Sequence, residues 1–368
     1  MPNRKIISFN VGSTHFMHFN RADRVTKGET VANKKKRSNL IKQMIGQNIL
    51  NSKANFLCIQ EGFTEVIPEK YGDLTKVADY TIPHGIIAEY NTSFLSTYVN
   101  LEKYDANENK QIDVDYKAIY PRKPCKTQVI EITDKKTGKE FILVNFHGLG
   151  HPDTKLRLPL LNFVKNFVET NYPRKEVVIV GDINTNLRKS IGDAAEIEFA
   201  RSVRETTLND FEIYPKSDKV KSSYHRYILE EDGTITNKPK SKWYDTLDYC
   251  LIKSREKYSV NVKRVPNNFT KVQVPYETLA NGSIIPNFEE FPSDHTLNIF
   301  DLKRKERFSR PRTIRRGLKR SGSKRTKSMG NKPSSSSRKN SSSGRRSGTN
   351  RRSGSGTSSS SKKRRGSF

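Results

Sequence analysis

Asn10, Glu61, His147, Asp182, Asn184, Asp248, Asp294 and His295 are acids, amides and imidazoles, and most stand where an apolar run stops. They belong to the segments ISFN, CIQE, VNFH, VIVGDIN, TLDY and PSDH. A buried strand emerging at the edge of its sheet reads this way and delivers its last polar group into a cleft. Brought together, these groups have the makings of metal-assisted phosphoester hydrolysis. That chemistry needs charge neutralisation, an oriented water and stabilisation of the leaving oxygen. A hard cation such as Mg2+, or Mn2+ in its place, takes oxygen ligands, typically one or two carboxylates with the rest from water and substrate. Glu61 is the first choice of carboxylate, and the Asn10 amide oxygen can help it. Asp182 and Asn184 flank one residue, so an extended chain points both the same way. Such a pair can orient a water and hold a phosphate against it. Asp294 and His295 set a carboxylate beside an imidazole, which suits phosphate binding or proton transfer. Arg188, four residues beyond Asn184, is within reach of a substrate phosphate or is a solvated residue of an early helix.

The elements that must position these groups are legible from periodicity. Lys5–Val11 and Phe56–Gln60 read as strands. Leu40, Ile41, Met44, Ile45, Ile49 and Leu50 recur at helical spacing. Thr127–Ile132 and Glu140–Phe146 frame a turn with a Thr-Gly pair, a hairpin signal. Leu160, Leu161, Val164, Phe167 and Val168 predict a helix that Tyr172-Pro173 ends. Val177–Val180 is the most apolar strand, and Asp193–Glu205 reads as helical. Asp245–Ile252, Val260–Val265 and Thr296–Leu302 read as extended, and Lys216–Lys242 as a long polar loop at the rim of the cleft. Alternating strands and helices that also form hairpins predict a mixed-sheet α/β or α+β layered fold.

Charge is unevenly placed along the 368 residues, whose formal net charge is +29. From Lys303 to Phe368 there are 24 Lys/Arg against one acid, Glu306, with 19 serines and five apolar residues. Such a tail cannot bury enough surface to offset its ordering entropy, so residues 303–368 are expected to be disordered and residues 1–302 to form the catalytic domain. Clustered Lys and Arg neutralise phosphates and release counterions, giving sequence-independent nucleic-acid affinity. A nuclear-localisation signal or a phosphorylatable solubilising tail is the competing reading. Cys58, Cys125 and Cys250 lie apart, two of them in apolar runs, which fits reduced core thiols. No apolar stretch approaches the ~18 residues of a membrane span, and a strand from about Lys5 leaves no room for a signal peptide. A monomer in a reducing compartment is expected, in nucleus, cytoplasm or a virion and not secreted.

In order and type, the six segments resemble the endonuclease/exonuclease/phosphatase superfamily, which includes deoxyribonuclease I-like nucleases. The resemblance spans residues 5–302, and IQE, GDIN, LDY and SDH carry most of it. It implies a four-layer sandwich, α/β (α+β), of two packed mixed β-sheets flanked by helices. It implies that Asn10, Glu61 and Asp294 serve the metal, and that Asp182 and Asn184 orient water and bind phosphate. Asp248 would support His295, His147 would match the deoxyribonuclease-like and deadenylase-like branches, and Tyr224 of Ser223-Tyr224 would touch phosphate. A metal-dependent nuclease acting on DNA or RNA is the implied activity. WYDTLDYC lacks the Trp-Cys-Asp-Arg element of inositol-phosphate phosphatases. A phosphoinositide- or sphingomyelin-type substrate, and a non-catalytic nucleic-acid-packaging role, stay open.

Overall fold

A computed structural model describes residues 3–12, 31–83, 92–121, 125–150, 156–191, 193–217, 222–224, 228–229, 235–236, 244–265, 276–278, 284–286, 293 and 295–305. One compact unit spans Met1–Phe308. Its strands are β1 (Arg4–Asn10), β2 (Phe56–Gly62), β3 (Lys70–Tyr71), β4 (Leu74–Pro83), β5 (Thr92–Val99) and β6 (Tyr104–Glu108). They continue as β7 (Thr127–Asp134), β8 (Glu140–His147), β9 (Glu176–Asp182), β10 (Glu212–Tyr214), β11 (Asp248–Lys253), β12 (Tyr258–Val265) and β13 (Leu297–Arg304). The α-helices are α1 (Val31–Ser52), α2 (Gln111–Ile119), α3 (Leu158–Asn171) and α4 (Ala194–Ser202).

Both large sheets are mixed. One runs β12-β13-β1-β2-β5-β4-β3, with β1 and β2 parallel; the other runs β10-β11-β9-β8-β7-β6, with β8 and β9 parallel. Alternation along each strand explains how the layers stack. Ile6, Phe56, Cys58 and Val99 of one sheet share a buried cluster with Ile130, Leu143, Val178 and Cys250 of the other. The residues between them face outward. Ile7, Phe9, Leu57 and Ile59 pack on Ile41, Ile45 and Ile49 of α1. Val129, Ile142, Val144, Val177 and Ile179 pack on Ile112 and Tyr116 of α2 and on Leu160 and Val164 of α3. Helix, sheet, sheet and helix make the four layers, and a sheet buried on both faces explains why its strands read as continuous apolar runs.

Several sequence-based elements need correction. Leu50 belongs to α1 but is 73% exposed, so the apolar stripe that packs is narrower than the spacing predicts. The stretch 245–252 is not one strand: Tyr244–Asp245 pairs with Ser223–Tyr224, and β11 starts only at Asp248. The expected loop 216–242 contains the paired strands Ile228–Leu229 and Ile235–Thr236. β4, β5, β6 and α2 have no counterpart in the sequence reading, because their polar positions interrupt any apolar run. All three cysteines are free and buried. No helix among the described residues is long and apolar enough to cross a membrane. β13 ends at Arg304, and the residues expected to form the disordered tail lie outside the described residues from 306 onward.

Candidate active site at one end of the sandwich

Toward one end, the inward-facing rows change from apolar to polar. On β1 the row reads Ile6, Ser8, Asn10; on β2 it reads Phe56, Cys58, Gln60. On β8 it runs Phe141, Leu143, Asn145, His147; on β9 Val178, Val180, Asp182; and on β11, read backwards, Ile252, Cys250, Asp248. Registers align the last members, with His147 opposite Asp182 and Asp182 opposite Asp248. The site is thus the end of the inter-sheet interior.

Asp182 is the hub. Its Oδ2 accepts from Asn10 Nδ2 at 3.1 Å, across the two sheets, and from Asn184 Nδ2 at 3.1 Å. The same oxygen lies 3.6 Å from His295 Nε2 and 4.0 Å from His147 Nε2. Its Oδ1 accepts the Asn184 backbone N–H at 2.7 Å. Burial pushes the Asp182 carboxyl well above the usual carboxylate range, the neighbouring His295 opposes this, and Asp248 and Glu61 add to the rise. His295 Nδ1 is 2.9 Å from Oδ2 of the fully buried Asp248. His147 lies 3.3 Å from Glu61 Oε1 through Nε2, and Asn10 Nδ2 approaches the same oxygen at 3.5 Å. Burial drops the His147 imidazole to about 4, with Lys126 adding to the effect and the Glu61 hydrogen bond opposing it.

Local backbone geometry makes this convergence possible. Asn184 does not continue the extended chain in which the two-residue spacing would point it the same way as Asp182. β9 stops at Asp182, Asn184 has φ +54°, and the side chain folds back onto Asp182 and onto Gly148 O at 3.0 Å. Glu61 also has positive φ, +49°, and sits in the register shift between Ile59 and Gly62 against β5. A bulge there turns an otherwise outward-facing residue toward the site. Within the six-stranded sheet, β8 and β9 pass so close that a Cβ on Gly181 (φ +140°) would stand 1.9 Å from Phe146 O.

Sequence reasoning missed several contributors. Gln60 Nε2 donates to Asn145 Oδ1 at 2.7 Å, and Asn145 Nδ2 donates to Ile59 O, Ser96 O, Thr97 Oγ1 and Gln128 Oε1, each at 3.2 Å. This buried polar layer sits directly beneath Glu61 and His147. Ser222 Oγ accepts the N–H groups of Leu247 and Asp248, both at 2.9 Å, while its carbonyl accepts from Thr296 N at 2.8 Å. Ser293 Oγ donates to Asn10 O at 2.6 Å and accepts from His295 N at 3.1 Å. Half-buried Lys126 interacts electrostatically with Glu61, Asp182 and His147; burial lowers its pKa and the two acids oppose that. One signal was available for part of this: the polar residues two places before each strand end.

Arg188 is tied elsewhere, its Nη2 donating to Ile213 O of edge strand β10 at 2.9 Å. Asp294 and the Tyr224 side chain lie outside the described residues. Among the described residues no three His, Cys, Asp or Glu side chains form a metal-holding group. The donor set is hard oxygen, led by the partly open Glu61 carboxylate at 15% exposure. One carboxylate with water and substrate completing the shell fits Mg2+, which rarely uses an all-protein cage.

No family model matches the chain, and no curated protein matches it. Solved structures do. The likeness is to the endonuclease/exonuclease/phosphatase fold. A Bacteroides vulgatus protein of that name is 13% identical, with 83% of this chain and 100% of that one covered and a TM-score of 0.45. The human Nocturnin catalytic domain, solved with bound sulfate, is 14% identical over 83% of this chain and 95% of its own, at a TM-score of 0.45. D. rerio TDP2, complexed with a single-strand DNA product, is 10% identical over 82% and 99%, at a TM-score of 0.49.

Proposed function

We propose that the chain is a metal-dependent phosphodiester hydrolase, and that its substrate is nucleic acid. The observation that carries this reading is the convergence on Asp182 Oδ2 of Asn10, Asn184, His147 and His295, from both sheets, within 4.0 Å. Seven polar groups from distant segments meeting at one buried end is costly unless the site works on something. Mg2+ held by Glu61 with help from Asn10, and by Asp294 as the resemblance implies, would neutralise phosphate charge and polarise a phosphoryl oxygen.

The residues of the chain divide the remaining work. Asp182 takes a proton from the attacking water at Oδ2. Its burial raises its basicity, and the two amides that donate to it fix its orientation. Asn184, held by Gly148 O and by Asp182, keeps the phosphate against that water. Asp248 fixes the His295 ring through Nδ1, so Nε2 faces the phosphoryl oxygen. His147, kept neutral by burial, holds Glu61 rather than competing with it for charge. Lys126 attracts the anionic substrate. The basic residues beyond Arg304 raise the local concentration of polyanion without reading its sequence. A monomer inside the cell, in nucleus, cytoplasm or a virion, is the setting this reading assigns.

The test is hydrolysis of labelled single- and double-stranded DNA and RNA in Mg2+, with an EDTA control, comparing the wild type with Asp182→Ala. Loss of cleavage on chelation, and a fall of about 10²–10⁴-fold on substitution, are expected. Salt-dependent binding without cleavage of any of the four would sink the nuclease reading. Phosphoinositide and sphingomyelin-type substrates would then be assayed next.

A further inference from the structure

Two inward-facing rows of the seven-stranded sheet take no part in the function proposed above. They show the same apolar-to-polar change. On β12 the row reads Tyr258, Val260, Val262, Arg264; on β13, read backwards, it reads Leu302, Phe300, Asn298. Register sets Arg264 opposite Asn298. Across the interior lies the row of β11 that ends at Asp248.

Arg264 is 4% exposed, which is unusual for a guanidinium. Its Nε donates to Asn298 Oδ1 at 3.0 Å, and Asn298 Nδ2 donates to Thr296 O at 2.8 Å, one residue beyond His295. Nη1 and Nη2 are buried and have no hydrogen-bond partner among the described residues. On the facing strand, Asp248 uses Oδ2 for His295, and its Oδ1 is likewise buried and unpartnered among the described residues. Two guanidinium nitrogens and one carboxylate oxygen, of opposite charge and sealed from solvent, complement each other. A hydrogen bond between them, direct or through one bridging water, would give both groups a partner. Burial lowers the Arg264 pKa, and the Asp248 carboxylate is the foremost group opposing that, so the two charges lie within mutual reach. An isolated buried guanidinium would be a heavy penalty, and a structural purpose alone is better served by an apolar side chain.

We propose that Arg264, anchored by Asn298, is a positioning residue: it orients the Asp248 carboxylate, which in turn fixes the His295 ring. The inference rests on the phosphodiesterase reading for its catalytic consequence, and on hydrogen bonding alone for its structural one. Arg264 touches no substrate. It acts through Asp248.

The experiment compares full-length wild type, Arg264→Lys and Arg264→Met, each first checked for folding by its thermal midpoint. Hydrolysis of bis(p-nitrophenyl) phosphate in Mg2+ is measured for all three. Arg264→Met is expected to lower kcat about tenfold or more with little change in KM, and Arg264→Lys to recover most of the loss. On an Asp248→Asn background, Arg264→Met is expected to cost nothing further. A folded Met variant with wild-type kcat, or a loss that simply multiplies with that of Asp248→Asn, overturns the proposal. If Arg264→Met does not fold, Arg264→Gln takes its place. If the wild type hydrolyses nothing, the phosphodiesterase reading fails and the positioning role is decided by nuclear magnetic resonance. The downfield proton on His295 Nδ1 should then be lost in the Met variant and kept in the Lys variant. Its persistence in the Met variant overturns the proposal independently of activity.

Discussion

Lys126 shows how a residue with no motif becomes part of a site. It precedes β7, and its carbonyl accepts the His147 N–H at 2.9 Å, which draws it to the strand ends that form the site. Its ammonium then sits among Glu61, Asp182 and His147. Lys126→Met is expected to raise KM for a nucleic-acid substrate several-fold while kcat falls less, because the loss is mainly in anion attraction. Steady-state kinetics at two ionic strengths check this, with the difference between variant and wild type shrinking at high salt. An unchanged KM would remove Lys126 from the site. The left-handed backbone at Glu61 and Asn184 belongs to the same scale, although Lys53 at the end of α1 shares it. Positive φ alone is therefore no mark of function. What distinguishes the first two is that their side chains turn back into a buried cluster.

At the scale of elements, β2, β11 and the approach to β7 carry cysteines whose thiols are sealed in the layers. Burial pushes the Cys125 thiol up to about 12, with Asp113 adding to the rise, and raises Cys58 and Cys250 further. Each folded thiol therefore stays protonated where an unfolded one ionises, from about pH 8.5 upward. The unfolded state then binds fewer protons, so stability is full below that pH and falls above it, by up to about 1.4 kcal/mol per pH unit for each thiol. Denaturant unfolding between pH 7 and 10 checks the sign. A thiol reagent at pH 8 should label the native protein slowly and the denatured protein at three sites. The opposite end of the sandwich is held differently. Arg4 pairs with Glu176 across the sheets and lies 3.9 Å over the Phe141 ring, while Glu176 also accepts from Ser254 and from Tyr258 at 2.9 and 2.6 Å.

For the whole molecule, the formal charge of +29 is concentrated beyond the last strand of the sandwich. Removing residues 309–368 is expected to weaken nucleic-acid binding and flatten its dependence on salt. Turnover at saturating substrate should persist, because every described site residue lies before 309. Binding titrations from about 50 to 200 mM salt give the slope for both lengths of chain. An identical slope would assign the polyanion affinity to the sandwich itself.

Much of this was legible in the order of residues. An apolar run ending in an acid, amide or imidazole marks a buried strand that surfaces at a sheet edge, so Asn10, Asp182 and His147 could be placed on strand ends from local pattern alone. The helices α1 and α3 followed from their spacing for the same reason: periodicity is a local property. Which ends meet is not local. The inter-sheet bond from Asn10 to Asp182 joins residues 172 apart, and only the pairing of strands brings them within 3.1 Å. The bulge that turns Glu61 inward, and the fold-back of Asn184, depend on neighbours the pattern cannot name. Gln60, Asn145, Lys126 and Arg264 read as ordinary polar residues in sequence. Their weight comes from burial, because a polar group sealed between two sheets must find its partner there or be left unpaired at a cost.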